Sequence, residues 1–110
     1  MVETRKILAQ ASPTAANLTD IYTVGVGTQS VVSTLTVCNR SSSSGDLFRV
    51  SVAIGGAGNA NSQYVYYDVL IDPNDTFAAT IGLTLNTGDV LRAYSLSGTL
   101  SFNLFGVEIT

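Results

Sequence analysis

The amino-acid sequence predicts an all-β fold, an antiparallel β-sandwich of about eight strands with no significant helix. Apolar and polar residues alternate with a period of two along most of the chain, as on half-buried strands whose successive side chains point to opposite faces. Short turn signals rich in Gly, Pro, Asn, Asp and Ser separate these runs. No run has helical periodicity, so the pattern is typical of a sandwich or barrel, including jelly-roll and immunoglobulin-like variants.

The clearest strand signal is the run from Leu47 to Ile54. Arg49 is the only charged residue in one phase of this run, so that face could contact a neighbouring subunit instead of water. The other phase is entirely apolar and is expected to point into the core: Phe48, Val50, Val52 and Ile54.

The remaining strands are expected where similar runs lie between turn signals. Pro13 interrupts the first of them because proline has no backbone donor. We therefore expect an N-terminal arm and first strand over residues 1–12 and a single sandwich domain over residues 13–110. The other predicted strands are Arg5 to Ala11, Leu18 to Val26, Ser30 to Asn39, Tyr64 to Ile71, Phe77 to Leu85, Val90 to Leu96 and Leu100 to Ile109.

Two strands leave alternatives open. In the last strand the apolar phase changes between Leu104 and Phe105, which predicts either a β-bulge near Leu104 or a strand covered on both faces. In the strand from Tyr64, we expect Tyr64, Tyr66 and Asp68 on one face and Val65, Tyr67, Val69 and Ile71 on the other. The tyrosine face is suited to an interface, or it packs on the second sheet.

Composition narrows the functional classes. Charged residues make up only 12% of the chain, the formal net charge is −3 and Lys6 is the only lysine. No basic stripe for phosphate contacts and no apolar run of membrane length occurs, so we expect neither a nucleic acid nor a membrane as partner. The low charge indicates either faces that meet protein partners or a neutral polar surface.

Residues that could carry chemistry are few. The chain has no histidine and one cysteine, Cys38, which we expect to be a buried free thiol. A histidine-dependent triad is excluded and zinc lacks ligands. The glycine-rich residues 55–62 are followed by a strand, so we expect a tip loop, not a phosphate site. Oxygen ligands at Asp72, Asn74 and Asp75 leave calcium as a minor hypothesis, and we otherwise expect no enzyme activity and no cofactor.

Most of the chain resembles small structural proteins of tailed bacteriophages. The resemblance lies in Leu-Thr-Asp-Ile-Tyr-Thr-Val at residues 18–24, in Val37-Cys38-Asn39-Arg40, in Thr87-Gly88-Asp89 and in the ending Phe105-Gly106-Val107-Glu108. The best match in this group is a capsid cement (decoration) protein with a β-sandwich fold. None of these segments is a chemical motif, so the resemblance implies a structural role in the virion.

The resemblance implies a protein that binds the outer shell, bridges major capsid subunits and is made in the host cytoplasm. Repeated sites on a shell favour a symmetric homo-oligomer, for which a trimer at three-fold positions is expected. A tail, baseplate or fibre component, including a host-adhesion protein, is the alternative. The arm from Met1 to Lys6 is expected to be loose in isolation or to add a strand to a neighbour's sheet. The expected interface residues are Val2, Arg5, Ile7, Arg49, Tyr64, Tyr66 and Phe105.

Overall fold

The computed structural model describes residues 1–110 and forms eight β-strands in two four-stranded antiparallel sheets. Two three-residue 3-10 turns, Ile54–Gly56 and Asn61–Gln63, are the helical segments, and none is long and apolar enough to cross a membrane. The strands are β1 Glu3–Ala11, β2 Thr19–Thr23, β3 Gln29–Asn39, β4 Asp46–Ala53, β5 Tyr64–Ile71, β6 Thr76–Leu85, β7 Val90–Ser95 and β8 Leu100–Ile109.

The strand order identifies the sandwich as a jelly roll. Sheet I has the order β1-β8-β3-β6 and sheet II has the order β2-β7-β4-β5. Each strand of the first half pairs with its counterpart in the second half, β1 with β8, β2 with β7, β3 with β6 and β4 with β5. This nested pairing is a long antiparallel ribbon wound into two sheets. The predicted antiparallel sandwich is confirmed, and its jelly-roll variant is the one observed.

The core lies between the two sheets and is centred on Phe48 of β4. Its ring contacts those of Tyr66, Phe77 and Phe102, with centroids 5.2 to 6.1 Å apart. Fourteen buried residues from both sheets form this one cluster. Each large apolar side chain that is fully buried contributes about 1.5–3 kcal/mol, which is how a chain without a disulfide holds a fold of this size.

The phase change in the last strand has a different cause from the predicted bulge. β8 keeps a regular alternation throughout, with Leu104 and Gly106 buried. The extra residues lie in its two neighbours, Leu8 in β1 and Ser33 in β3, at the positions where the register shifts. The predicted bulge therefore occurs beside Leu104 and Phe105, but in the neighbouring strands. The expectation that an added residue re-aims the end of β8 was wrong, and Phe105 lies on the outer face of sheet I.

Strand β4 is predicted correctly for most of its length, but not at its end. Ile54 is 87% exposed and opens a 3-10 turn, so its expected inward position was wrong. Ser51 and Ala53 belong to the outer phase and are nevertheless fully buried, beneath the segment of residues 54–63 that folds back over sheet II. Val52 is half-buried and packs against the core.

Strand β5 has the predicted bounds but not the predicted faces. Tyr67 and Asp68 together lie opposite Arg49 of β4, and Asp68 has a positive φ of 52°. This bulge shifts the phase, because an added residue re-aims the side chains on one side of it. Tyr66 consequently shares the inner face with Val69, and a second register shift between Tyr66 and Tyr64 leaves Tyr64 on the outer face opposite Ser51. The expected grouping of Tyr66 with Tyr64 and Asp68 was therefore wrong.

Candidate protein-interaction surfaces

The outer face of sheet I carries an apolar row that no other part of the chain covers. Cross-strand partners in an antiparallel sheet share a face, and Ile7 of β1 pairs with Phe105 of β8, which pairs with Thr34 of β3. Two residues further along β8, Val107 pairs with Val31 of β3 on the same face. An open groove of about 600 Å³ lies along this row between β1, β3 and β8.

Charge is scarce on this face. Glu3 and Arg5 of β1 lie opposite Ile109 and Val107 and are the charged side chains of the outer phase. Glu108 lies in the inner phase and binds Lys6 at 3.0 Å, and β3 and β6 contain no charged residue. A sheet face that stays in water is normally polar, so the apolar row makes this face a candidate contact surface.

The outer face of sheet II is built around Arg49 of β4. Its guanidinium stacks between the rings of Tyr67 and Tyr94, 4.2 and 4.4 Å from their centroids. Nε donates a 2.6 Å hydrogen bond to Asp68, which together with its charge raises the pKa of Arg49 against the opposing effect of desolvation. The cluster of Arg49, Tyr67, Asp68 and Tyr94 is therefore a rigid, aromatic patch on this face.

Apolar and aromatic side chains surround this Arg49 cluster. Tyr67 is 56% exposed and meets the ring of Tyr64 edge-on at 4.9 Å. Leu70 is 62% exposed and Leu96 is 45% exposed. Sheet II thus offers a second candidate surface, of mixed aromatic and aliphatic character.

The segment of residues 54–63 covers the other half of that face and is tied to it. Arg92 of β7 donates to the carbonyl oxygens of Gly56 and Ala57 and pairs with Asp20 at 2.8 Å. The backbone N–H of Gly55 donates to the carboxylate of Asp89. The predicted tip loop is therefore anchored at its start.

The structure brings some of the predicted interface residues together and separates others. Arg5, Ile7 and Phe105 line the sheet I groove, while Arg49 and Tyr64 lie on sheet II. Tyr66 packs on Phe48 and Phe77 in the core. Val2 follows the inner phase of β1, where it exchanges two backbone hydrogen bonds with Thr110, so the expected loose arm is paired with β8.

Several surface residues were missed by the sequence analysis. Val31, Val107, Tyr67, Tyr94 and Leu70 were not selected. The absence of charged residues from β3 and β6 signalled an uncharged sheet face, but only the strand order places these residues together. Cys38 was expected to be buried; it is half-buried and faces outward opposite Ser101 and Thr76.

The turn considered for calcium is explained by hydrogen bonds of its own. Asp75 accepts from the backbone N–H of Thr76, and the carbonyl of Asp72 accepts from Asp75 and from the side-chain amide of Asn39. No group of three or more His, Cys, Asp or Glu side chains with metal-binding geometry occurs in the structure.

Comparisons with known proteins give distant structural neighbours only. No family model matches the chain, and no curated protein is significantly similar to it. Two crystal structures of a pentameric capsid protein isolated from metagenomic phage sequences are 16% identical to it, with TM-scores of 0.36 and 0.35. The alignments cover 96% of this chain but 57% and 59% of those chains. The chain thus spans less than two thirds of the length of those proteins.

Proposed function

We propose that this chain is a structural protein of a bacteriophage virion that binds the outside of the capsid as a cement protein and bridges major capsid subunits. The observation that carries the proposal is the outer face of sheet I, where Ile7, Phe105, Val107 and Val31 form a continuous apolar row. A monomer gains no stability from such a face in water, whereas a protein that docks on a shell buries it.

Two further observations support this role. The resemblance to small tailed-phage structural proteins extends over most of the sequence. The jelly roll is also an architecture that recurs in viral capsid domains, although a shared architecture is an analogy and does not define a function.

The proposed mechanism is the burial of surface without turnover. The molecule measures 47 × 28 × 19 Å. A standard interface buries about 800 Å² of surface on each partner, and the broad sheet face is large enough for this. Asn39 and Asp46 hold the turns at one end through buried hydrogen bonds. Such a preorganised surface loses little conformational entropy on docking, and many copies on one shell add their effects.

The proposed partner is the major capsid protein, together with further copies of this chain. The proposed homo-oligomer is a trimer, which would present three such faces to one three-fold position of the shell. Location on the capsid surface follows from the same proposal.

A binding experiment with purified shells that lack this protein tests the proposal. We expect Ile7→Glu to reduce shell occupancy at least tenfold, because a carboxylate would be buried against an apolar partner surface. Leu70→Glu is the matched control, since Leu70 is an exposed aliphatic residue on the opposite sheet. Equal occupancy of wild type and Ile7→Glu, with both folded, would exclude the sheet I face as the contact.

The second candidate is a tail, baseplate or fibre component that contacts the host. The Arg49 cluster favours it, because exposed tyrosine rings beside hydrogen-bonding groups suit contacts with other molecules. Quantitative mass spectrometry of purified virions separates the two roles. A copy number comparable to that of the major capsid protein supports the cement role, and the low copy number of a tail component supports the second candidate.

A further inference from the structure

The outer edge of β1 is an unpaired strand edge with a defined hydrogen-bonding phase. β1 is terminal in sheet I, and residues 3–7 are exposed. Val2 and Thr110 exchange both backbone hydrogen bonds, at 2.8 and 2.9 Å. Because bonded and non-bonded pairs alternate in an antiparallel ladder, Thr4 also directs its backbone groups toward β8. Glu3 and Arg5 direct theirs away, toward the free edge.

Charge at such an edge normally prevents pairing with another strand. Here the two charges of the outer phase, Glu3 and Arg5, are opposite in sign and two residues apart on the same face. Glu3 and Arg5 would repel a strand that carries a like charge at the opposing position. They complement the same two residues of a second copy that runs antiparallel.

We propose that β1 pairs with β1 of a second copy across a two-fold axis at Thr4. In this register Glu3 lies opposite Arg5 of the second copy, and Arg5 lies opposite its Glu3. These are the residues whose N–H and C=O groups point outward, so both pairs exchange backbone hydrogen bonds. Two opposite-charge pairs then lie directly across the new strand boundary, where such pairs stabilise a sheet.

The neighbouring registers are less favourable because they bring like charges together or mismatch the backbone hydrogen-bonding groups. A two-fold axis at Arg5 places the two arginines opposite each other, and an axis at Glu3 places the two glutamates opposite each other, so like charges meet in both. A shift of one residue in the register pairs outward-pointing backbone groups with inward-pointing ones and reverses the faces. Only the axis at Thr4 satisfies both the hydrogen bonds and the charges of β1.

The pairing would join the two copies of sheet I into one eight-stranded sheet. The outer faces of the two sheets would then lie on the same side, with Ile7 of each copy opposite Met1 of the other. The contact uses only β1, so it leaves the other edges free for contacts within an oligomer. It does not depend on the proposed function, because it concerns two copies of this chain alone.

Oxidative cross-linking of single-cysteine variants tests the register. In the Cys38→Ser background, Thr4→Cys places two thiols across a non-bonded pair with Cα atoms about 4.5 Å apart, within the range for a disulfide. Lys6→Cys is the matched control, because the same register separates its two Cα atoms by about 14 Å. We expect a covalent dimer from Thr4→Cys at low micromolar concentration, formed at least tenfold faster than from Lys6→Cys.

Charge reversal in the Thr4→Cys background tests the complementarity. Glu3→Arg would place two arginine pairs across the boundary and is expected to slow cross-linking by about threefold to tenfold. The double variant Glu3→Arg/Arg5→Glu restores opposite charges and is expected to recover the original rate. Equal rates for Thr4→Cys and Lys6→Cys, or no recovery in the double variant, would overturn the proposal.

The wild-type chain offers a measurement that does not depend on any variant. Pairing protects the outward amides of Glu3 and Arg5 from hydrogen exchange, so their exchange is expected to slow as protein concentration rises. The exposed amide of Asn59, in the 54–63 segment, is expected to show no such change. Exchange at Glu3 and Arg5 that is independent of concentration up to millimolar protein would also overturn the proposal.

Discussion

The carboxylate of Asp46, at the start of β4, accepts a 2.7 Å hydrogen bond from the hydroxyl of Ser95, at the end of β7. Both side chains are almost completely buried. The same carboxylate accepts from the backbone N–H groups of Ser97 and Thr99 and from the Thr99 hydroxyl. A buried charge is tolerated when its acceptor positions are filled in this way, so Asp46 fixes the turn between β7 and β8.

We expect Asp46→Asn to lower the free energy of unfolding by about 3 kcal/mol, because an amide nitrogen would face hydrogen-bond donors that it cannot accept from. Urea unfolding at pH 7 measures the change. Asp75→Asn is the control, since the exposed Asp75 side chain accepts only from its neighbour Thr76. An equal, small loss in both variants would show that the buried network does not stabilise the fold.

The same residue predicts a pH dependence. Burial acts to raise the pKa of Asp46, but the hydrogen bonds from Ser95, Ser97 and Thr99 outweigh it, and the net pKa is lowered. A lowered folded-state pKa contributes stability above the unfolded pKa of about 3.9, and this contribution is lost as pH falls through the folded-state pKa. The stability difference between wild type and Asp46→Asn should therefore be constant from pH 7 to pH 5 and shrink below about pH 4. Urea unfolding at these pH values checks the sign, and a difference that grows toward low pH would contradict it.

A second buried hydroxyl links the two sheets. The Tyr22 hydroxyl of β2 lies 2.6 Å from the Ser30 hydroxyl and donates a 2.8 Å hydrogen bond to Glu108. Burial raises the pKa of Tyr22 to about 12, and the hydrogen bond from Tyr22, followed by that from Lys6, lowers the pKa of Glu108.

We expect Tyr22→Phe to lower the free energy of unfolding by about 1–2 kcal/mol and to raise the pKa of Glu108 toward its usual value. Carboxyl-detected NMR titration follows the pKa, and urea unfolding follows the stability. Tyr94→Phe is the matched control, because the Tyr94 hydroxyl makes no hydrogen bond within the chain. An unchanged Glu108 pKa in Tyr22→Phe would count against this linkage.

Local signals in the sequence were sufficient for most strand positions. Tyr64–Ile71 was predicted with the observed bounds because a glycine-rich segment precedes it and Asp72-Pro73 follows it. The phase of β8 was misread for a physical reason. A bulge belongs to a pair of strands, and the extra residues Leu8 and Ser33 lie far from β8 in sequence.

The candidate surfaces were predictable only in part. Arg5, Ile7 and Phe105 were all chosen, but their convergence depends on β1 lying next to β8, which no local pattern specifies. Tyr66 was grouped with Asp68 instead of with Val69 because no glycine signals the positive φ of Asp68. The stacking of Tyr94 on Arg49 likewise depends on the contact of β7 with β4.

Replacement of Arg49 by lysine is predicted to lower the stability of the fold. Lysine keeps the charge but cannot stack its planar group between Tyr67 and Tyr94 while bonding Asp68. We expect Arg49→Lys to lower the free energy of unfolding by about 1 kcal/mol, a modest value because solvent screens this partly exposed patch. Urea unfolding at low protein concentration measures it, with Arg5→Lys as the control, since the Arg5 side chain makes no ion pair within the chain. A loss that disappears completely in high salt would show that stacking contributes nothing.

Replacement of Gly106 of β8 is predicted to destabilise the fold more than replacement of any other glycine in sheet I. It lies on the inner face between the bulges of β1 and β3, and a Cβ atom there would overlap the carbonyl oxygen of Val31 and lie 3.1 Å from a Leu8 methyl group. Relief requires movement of the β3 backbone, because the Val31 oxygen is not part of a flexible side chain. We expect Gly106→Ala to lower the free energy of unfolding by about 3 kcal/mol. Gly58→Ala is the control, since nothing lies within 4 Å of its added Cβ. Thermal and urea unfolding should separate the two variants. Equal stability of the two variants would mean that β8 and β3 can move apart without a loss of unfolding free energy. In that case the bulges would not determine the spacing of these two strands.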